Sequence, residues 1–309
     1  MTPPSWWRER VQQMIDRGYL MKNIGVYVNP NKAGVTAVLT QLVTLLESQG
    51  AQLALDPQAA LRVRRPQLAC EVELMPKRVQ VVFVLGGDGT LLGLARQLAP
   101  YGIPLIGLNM GHLGFLTQAE PEDLVESVER VLHDRFEVER RMMLESVILR
   151  NGEELGRYTA LNDVGLAKGS FSRMVTNEVY VNNAYLGTYS GDGILISSPT
   201  GSTAYSLSAG GPIVSPNVEV LLFTPLAPHT LTARPIVLSA DDEIGLLVES
   251  SHEEIGLTMD GQMGIPLHHK DLIVVRKSKH YTLLVKWRQG SFFDVVRRKL
   301  QGERGECKE

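Results

Sequence analysis

Apolar and polar positions follow two different rhythms in this chain, and the rhythm changes near residue 137. In the first part, "VQVVFVLGG" (79–87) is almost wholly apolar until its glycines. That is the pattern of a strand buried on both faces of a parallel sheet. "NIGVYVNP" (23–30) and "IPLIGLN" (103–109) are shorter apolar runs, the first closed by an Asn-Pro turn signal. "VTAVLTQLVTLLESQG" (35–50) sets Val38, Leu42, Leu45 and Leu46 at helical spacing and stops at Gly50. The pattern after Gly87 turns helical to about Ala99. "PEDLVESVERVLHDRF" (121–136) opens with Pro121 and lines up Leu124, Val128, Val131 and Leu132, predicting another helix. Residues 5–17 predict a short amphipathic helix, whereas 51–78 show no clear period and read as irregular. Strand–helix–strand–helix–strand–helix over about 23–135 implies a parallel α/β sheet.

Short extended runs with turn residues between them follow. "MLESVILRNGEELGRYTALNDVGLAKG" joins two runs through Asn151-Gly152, and "EVYVNNAYLGTY" repeats the device through Asn182-Asn183. "EIGLLVES", "DLIVVRKS" and "YTLLVKW" continue the series. The predicted fold is an N-terminal α/β domain with a parallel sheet (1–137), then an all-β, antiparallel, sandwich-like domain (138–286). A helix over 291–302 is expected to return to the first domain, so that 287–309 pack back on it, with a loose tail from Glu303.

A length of 309 residues accommodates two such domains. The net charge of -3 argues against a nucleic-acid partner. Two cysteines, Cys70 and Cys307, form no CxxC pair, so neither a disulfide framework nor a zinc knuckle is implied. The N-terminus lacks the apolar segment of a signal peptide, and no apolar run approaches the roughly 20 residues that cross a bilayer. A cytoplasmic protein without a membrane partner is expected.

The chemistry starts at Gly86-Gly87-Asp88-Gly89-Thr90. Glycine lets backbone N–H groups approach an anion, and a helix starting just beyond adds positive potential. Gly86, Gly87 and Gly89 therefore suit a triphosphate. Asp88 would repel phosphate, so it makes sense as a magnesium ligand or as a base for an attacking hydroxyl. A plain tight turn with a solvated aspartate is the bland alternative. The P-loop pattern GxxxxGK[ST] is absent, and GxGxxG fails because Leu92 stands where the third glycine belongs. In "LGTYSGDGILISSPTGSTAYSLSAGGPIVSP" (186–216), hydroxyls and glycine backbone suit ribose hydroxyls and a pyrophosphate, and Tyr205 suits stacking on adenine. A Ser/Thr-rich crossover with a capped helix is the alternative there.

These motifs together resemble the ATP-NAD kinase family. The likeness runs through the GGDGT turn, "NMGHLGFL" (109–116), Asn162-Asp163, the 191–216 block, "PLAPHTLTARPIVL" (225–238) and Asp260-Gly261-Gln262. It spans most of 23–300. Ser198 stands where the family often has Thr, and Asp163 where many members have Glu. The resemblance implies transfer of the ATP γ-phosphate to the adenosine-ribose 2′-hydroxyl of NAD, with Mg2+ or another divalent cation accompanying ATP. It makes Asp88 the catalytic residue, with Gly86, Gly87, Gly89 and Thr90 at the triphosphate. Asn162 and Asp163 would hold the adenine and ribose side of NAD, and Asp192 would lie near the nicotinamide half. Thr200, Thr203, Ala204, Tyr205, Ser208 and Gln262 would line the NAD pocket. No dedicated metal-ligand set is implied, and a homodimer or homotetramer is expected. The competing readings are a GGDGT kinase with a lipid or sugar acceptor and a non-catalytic NAD-binding regulator. His229 reads as a loop residue bonding backbone, His268-His269 as solvated, Trp6 and Trp7 as packing residues, and "RVRR" (62–65) as a solvated loop, with a role in attracting ATP as its alternative.

Overall fold

The computed structural model describes residues 23–111, 114–117, 119–169, 174–250, 254–287 and 292–300. The helix expected over 5–17, with Trp6 and Trp7, lies outside them, as does the tail from Glu303. The chain divides into two compact units, with the boundaries between Arg140 and Arg141 and between Tyr281 and Thr282.

In the first unit, strands β1 (Asn23–Val28), β2 (Gln52–Leu55), β3 (Val81–Gly86) and β4 (Pro104–Asn109) form a parallel sheet in the order β2-β1-β3-β4. The last residues of β16 (Leu272–Lys286) extend it beside β4, also parallel. β3 and β4 are buried along their whole length, which is why they read as unbroken apolar runs. Helices α1 (Val35–Ser48), α2 (Pro57–Arg62), α3 (Asp88–Leu98) and α4 (Leu124–Leu132) complete the crossovers. Leu39, Leu42 and Leu46 of α1 and Val128 and Val131 of α4 join Ile24, Val26, Phe83 and Leu85 in one core. The helix expected from Pro121 starts as a 3-10 turn and becomes α-helical at Leu124.

The segment 51–78 is not irregular. It holds β2 and α2, then two 3-10 turns, Pro66–Leu68 and Val72–Lys77. β2 and α2 are only four and six residues long, too short to display a period. The start of α2 is nevertheless written in the sequence: Asp56 caps it, accepting from the Gln58 and Ala59 N–H groups, and Pro57 opens the first turn. The C-terminal helix α5 (Phe292–Leu300) belongs to this unit; the rings of Phe292 and Phe115 lie 6.3 Å apart.

The second unit is antiparallel. One sheet runs β12-β11-β10-β7-β14-β15, with β7 (Asp163–Lys168), β10 (Gly193–Ser197), β11 (Val220–Leu226), β12 (Ile236–Ser239), β14 (Ile255–Met259) and β15 (Met263–Leu267). The other contains β8 (Val175–Val181), β9 (Ala184–Gly191), β13 (Ile244–Val248) and the first part of β16, with β5 (Glu137–Arg150) and β6 (Glu153–Ala160) beside it. Val179, Leu246 and Val275 from one sheet share a core with Leu166, Ile196 and Phe223 from the other, a sandwich. Both predicted hairpin turns form. Asn151-Gly152 and Asn182-Asn183 have positive φ throughout, as tight primed turns require.

Candidate functional site

In the first unit, β3 delivers the chain to Gly86, and α3 starts at Asp88 with Gly87 as its N-cap and no side chain capping it. The Gly87 carbonyl accepts from Thr90 N at 3.0 Å and Leu91 N at 3.2 Å, so the turn winds directly into the helix, whose positive end lies at the glycines. Thr90 folds back, and its Oγ1 accepts from Asn29 Nδ2 at 3.1 Å. The Gly86 carbonyl accepts from Met110 N at 2.8 Å, tying the turn to the end of β4.

Asp88 is half-buried and turned toward the loop after β4. Its Oδ2 accepts from Phe115 N at 2.8 Å; Oδ1 accepts from Leu116 N at 3.2 Å, Thr117 N at 3.3 Å and the Thr117 hydroxyl at 3.5 Å. One carboxylate therefore holds three successive amides. The loop backbone comes so close that a Cβ on Gly114 would stand 1.8 Å from Asp88 Oδ1. Gly114 and Thr117 are site residues that the motif reading did not single out. The signal available was the glycine and hydroxyl of "GFLT"; their partner Asp88 lies 26 residues from Gly114 and 29 from Thr117. Each carboxylate oxygen has about two acceptor sites, so Oδ2 retains one.

In the second unit the same device recurs. Asp260 opens the turn between β14 and β15 with φ 52°, followed by Gly261 at 62°. Its Oδ1 accepts from Asn162 N at 2.7 Å and Asp163 N at 3.1 Å, and its Oδ2 from Leu161 N at 3.2 Å. Asp260 N returns a bond to the Asp163 carbonyl at 2.9 Å. Asp163 is only 5% exposed. Burial, and then the Asp260 charge beside it, push its carboxyl up to about 7.

The turn after β10 packs on this loop. Ser198 N donates to the Asn162 carbonyl at 2.8 Å, and the Ser198 hydroxyl donates to the Leu161 carbonyl. A Cβ on Gly201 would stand 2.0 Å from the Asn162 carbonyl oxygen, so this approach demands glycine. Thr200 is buried, and its carbonyl accepts from the Thr203 hydroxyl. Thr203 and Ala204 are half-buried, while Tyr205 and Ser208 are exposed on the short helix Tyr205–Ser208. Gln262 is exposed on the Asp260 turn. The structure thus assembles Asn162, Asp163, Ser198, Gly201 and Asp260 around one loop. Ser198, Gly201 and Asp260 lie inside the quoted motifs without having been assigned a role by them.

Asp192 stands apart. It precedes β10 whereas Ser198 follows it, and six extended steps cover roughly 20 Å. Its carboxylate pairs with Lys168 Nζ at 2.9 Å. His229 is exposed, and its backbone N–H bonds the Ser190 carbonyl. Arg62 departs from the solvated loop expected for "RVRR": its Nη2 donates to the Pro30 carbonyl at 2.6 Å and its Nη1 to Thr36 Oγ1 at 3.2 Å.

Comparison with known proteins covers both units. Residues 24–136 match the family model of the ATP-NAD kinase N-terminal domain, and residues 161–287 that of the ATP-NAD kinase C-terminal domain. The NAD kinase of Caldanaerobacter subterraneus subsp. tengcongensis is 41% identical over 280 residues, covering 91% of this chain and 99% of the relative. That of Symbiobacterium thermophilum is 42% identical over 282 residues, covering 91% and 100%. A yeast NADH kinase solved with NADH superposes with a TM-score of 0.83 at 24% identity, over 94% of this chain and 90% of that one. An NAD kinase from Archaeoglobus fulgidus solved with ATP gives 0.70 at 23% identity, over 90% and 97%. At these identities the two structures speak for the fold.

Proposed function

This chain belongs to the ATP-NAD kinase family, and from that premise we propose how its residues divide the transfer of the ATP γ-phosphate to the adenosine-ribose 2′-hydroxyl of NAD. It is an NAD kinase by its relatives and by both family models. The observation that carries the division of labour is the pair of aspartate-anchored loops, one in each unit.

Phosphoryl transfer requires alignment and charge neutralisation more than covalent help. Gly86, Gly87, Gly89 and Thr90 form the triphosphate turn, at the positive end of α3. Asp88 is the catalytic residue. It fixes the 115–117 loop and, with the acceptor site left on Oδ2, orients the ribose hydroxyl and takes its proton. Mg2+ would be held mostly by the phosphate oxygens and would neutralise charge on the triphosphate.

Asn162 and Asp163, held by Asp260, bind the adenosine end of NAD. Thr200, Thr203, Ala204, Tyr205, Ser208 and Gln262 line the pocket, and Asp192, remote along β10, serves the other end of the dinucleotide. The enzyme works in the cytoplasm as a homodimer or homotetramer, a reading that rests on family resemblance; no helix among the described residues is long and apolar enough to cross a membrane.

The test is to incubate the protein with ATP, Mg2+ and NAD, and with NADH in parallel, and to quantify NADP and NADPH. Sedimentation gives the oligomer. NAD-dependent loss of the ATP γ-phosphate with NADP as product supports the assignment. ATP consumption indifferent to NAD would overturn it.

A further inference from the structure

We propose that Lys32 is a further binding residue for the donor nucleotide, its ammonium closing over the triphosphate on the Gly86–Thr90 turn, with Arg62 as its positioning residue. The inference rests on the kinase reading above.

Residues 29–34 link β1 to α1, and this loop is held at several points. Asn29 N donates to the Leu85 carbonyl at 2.9 Å, and Asn29 Nδ2 to Thr90 Oγ1 at 3.1 Å, so the loop's first residue is tied to both sides of the glycine turn. Asn29 then directs the next residues: its Oδ1 accepts from Asn31 N at 3.0 Å and its carbonyl from Lys32 N at 3.3 Å.

The other support comes from the segment that showed no period in the sequence. Asp56 Oδ2 accepts from Val28 N at 2.8 Å while Oδ1 caps α2. Arg62, at the far end of α2, donates to the Pro30 carbonyl and to Thr36 at the start of α1. Residues 56 to 62 thus brace the loop at Val28, Pro30 and Thr36. A guanidinium with several fixed donors is suited to that task.

The loop carries Lys32 over the turn. A Cβ set on Gly87 would stand 3.9 Å from Lys32 Nζ. The side chain is exposed and has no hydrogen-bond or ion-pair partner among the described residues. Asp88, beside Gly87, gives its carboxylate to the 115–117 amides. An unpaired ammonium and the positive end of α3 therefore converge on one spot, an arrangement that favours an anion there. Within the established reaction that anion is the triphosphate, and a compact ammonium point charge is a suitable phosphate binder.

The test uses the full chain with Lys32→Ala, Lys32→Arg, Arg62→Met and the Lys32→Ala/Arg62→Met pair, by calorimetric titration of Mg-ATP and by kinetics at saturating NAD. Lys32→Ala is expected to raise both the ATP dissociation constant and KM for ATP about tenfold or more, with KM for NAD within about twofold. Lys32→Arg should recover most of the loss. Arg62→Met should raise KM for ATP several-fold beside Lys32 but add nothing in the Lys32→Ala background, which a merely structural arginine would not reproduce. Unchanged ATP affinity in Lys32→Ala, in a protein that makes NADP, would overturn the proposal and leave the kinase standing. Tight ATP binding weakened by Lys32→Ala, with no NADP formed, would instead sink the acceptor assignment and uphold the lysine. A parent protein that binds no ATP sinks both.

Discussion

Asp88 in the first unit and Asp260 in the second use one device. Each carboxylate accepts from three consecutive backbone amides of a distant loop, 115–117 in one case and 161–163 in the other. What differs is what the clamp leaves behind. Asp88 sits half-buried between glycines at the start of α3, where the proposed function puts the triphosphate. Asp260 faces a second carboxylate, and the charge it brings helps lift the buried Asp163 to about 7. In the proposed mechanism the first anchor is itself the reactive group; in the second unit the anchor raises the carboxyl of its neighbour.

The sharpest way to break the comparison is at Asp88. Asp88→Asn keeps an acceptor oxygen for part of the loop but loses the base, so turnover should fall by about 10²–10⁴-fold with NAD affinity within about tenfold. Gly114→Ala attacks the anchor from the other side, because the new methyl would land 1.8 Å from Asp88 Oδ1. It should lower turnover and increase amide exchange at 115–117. Slow exchange with full activity in Gly114→Ala would show that the anchor is dispensable.

At Asp260 the same cut should register in stability and acceptor binding. Asp260→Ala strands the three amides it holds, at a cost of about 1–3 kcal/mol for each one left unpaired, offset in part by relief of Asp163, and should raise KM for NAD while barely moving KM for ATP. Urea melts and substrate-specific kinetics check it. Equal effects on the two substrates would remove the distinction drawn between the units.

How far these roles could be read in advance depends on the range of the interaction. The strand, turn and helix around Gly86–Thr90 are local and were legible from apolar run and glycine alone. So were the Asn151-Gly152 and Asn182-Asn183 hairpins, because turn chemistry is written in adjacent residues. The partners of Asp88 and Asp260 were not legible, since they lie 27 to 29 and 97 to 99 residues away. Asp163 was visible as a residue type in a motif, but its burial is a property of the assembled sandwich. Arg62 looked solvated because β2 and α2 are too short to declare themselves; only their fold brings its guanidinium to Pro30.

Asp163 sharpens the contrast through pH. Its folded-state carboxyl is raised from 3.8 to about 7, so the protein favours the protonated form. That contribution to stability is full below about pH 4, is lost progressively as pH rises, and is gone above about 7. Asp163→Asn stays neutral throughout. Its stability relative to the parent should therefore climb between pH 4 and 8, by up to about 4 kcal/mol for a shift of this size. Melting both proteins across that range is the measurement, and parallel curves would show that Asp163 ionises freely.

The smallest effect is expected at Lys168 and Asp192, where a carboxylate meets a cation instead of a loop. The pair is close, 2.9 Å, but the side chains are 29% and 50% exposed, and exposed ion pairs contribute about 0–1 kcal/mol. Lys168→Met should leave stability within about 1 kcal/mol of the parent, with any deficit shrinking as salt screens the pair. Asp192, freed of its partner, would then present a bare carboxylate at its end of β10. That should favour the cationic ring of NAD over the neutral ring of NADH, and the ratio of the two kcat/KM values reads it directly. A ratio that stays fixed while stability also stays fixed would mean that Asp192 meets neither form, leaving the acceptor to the Asp260-anchored loop and the turn that packs on it.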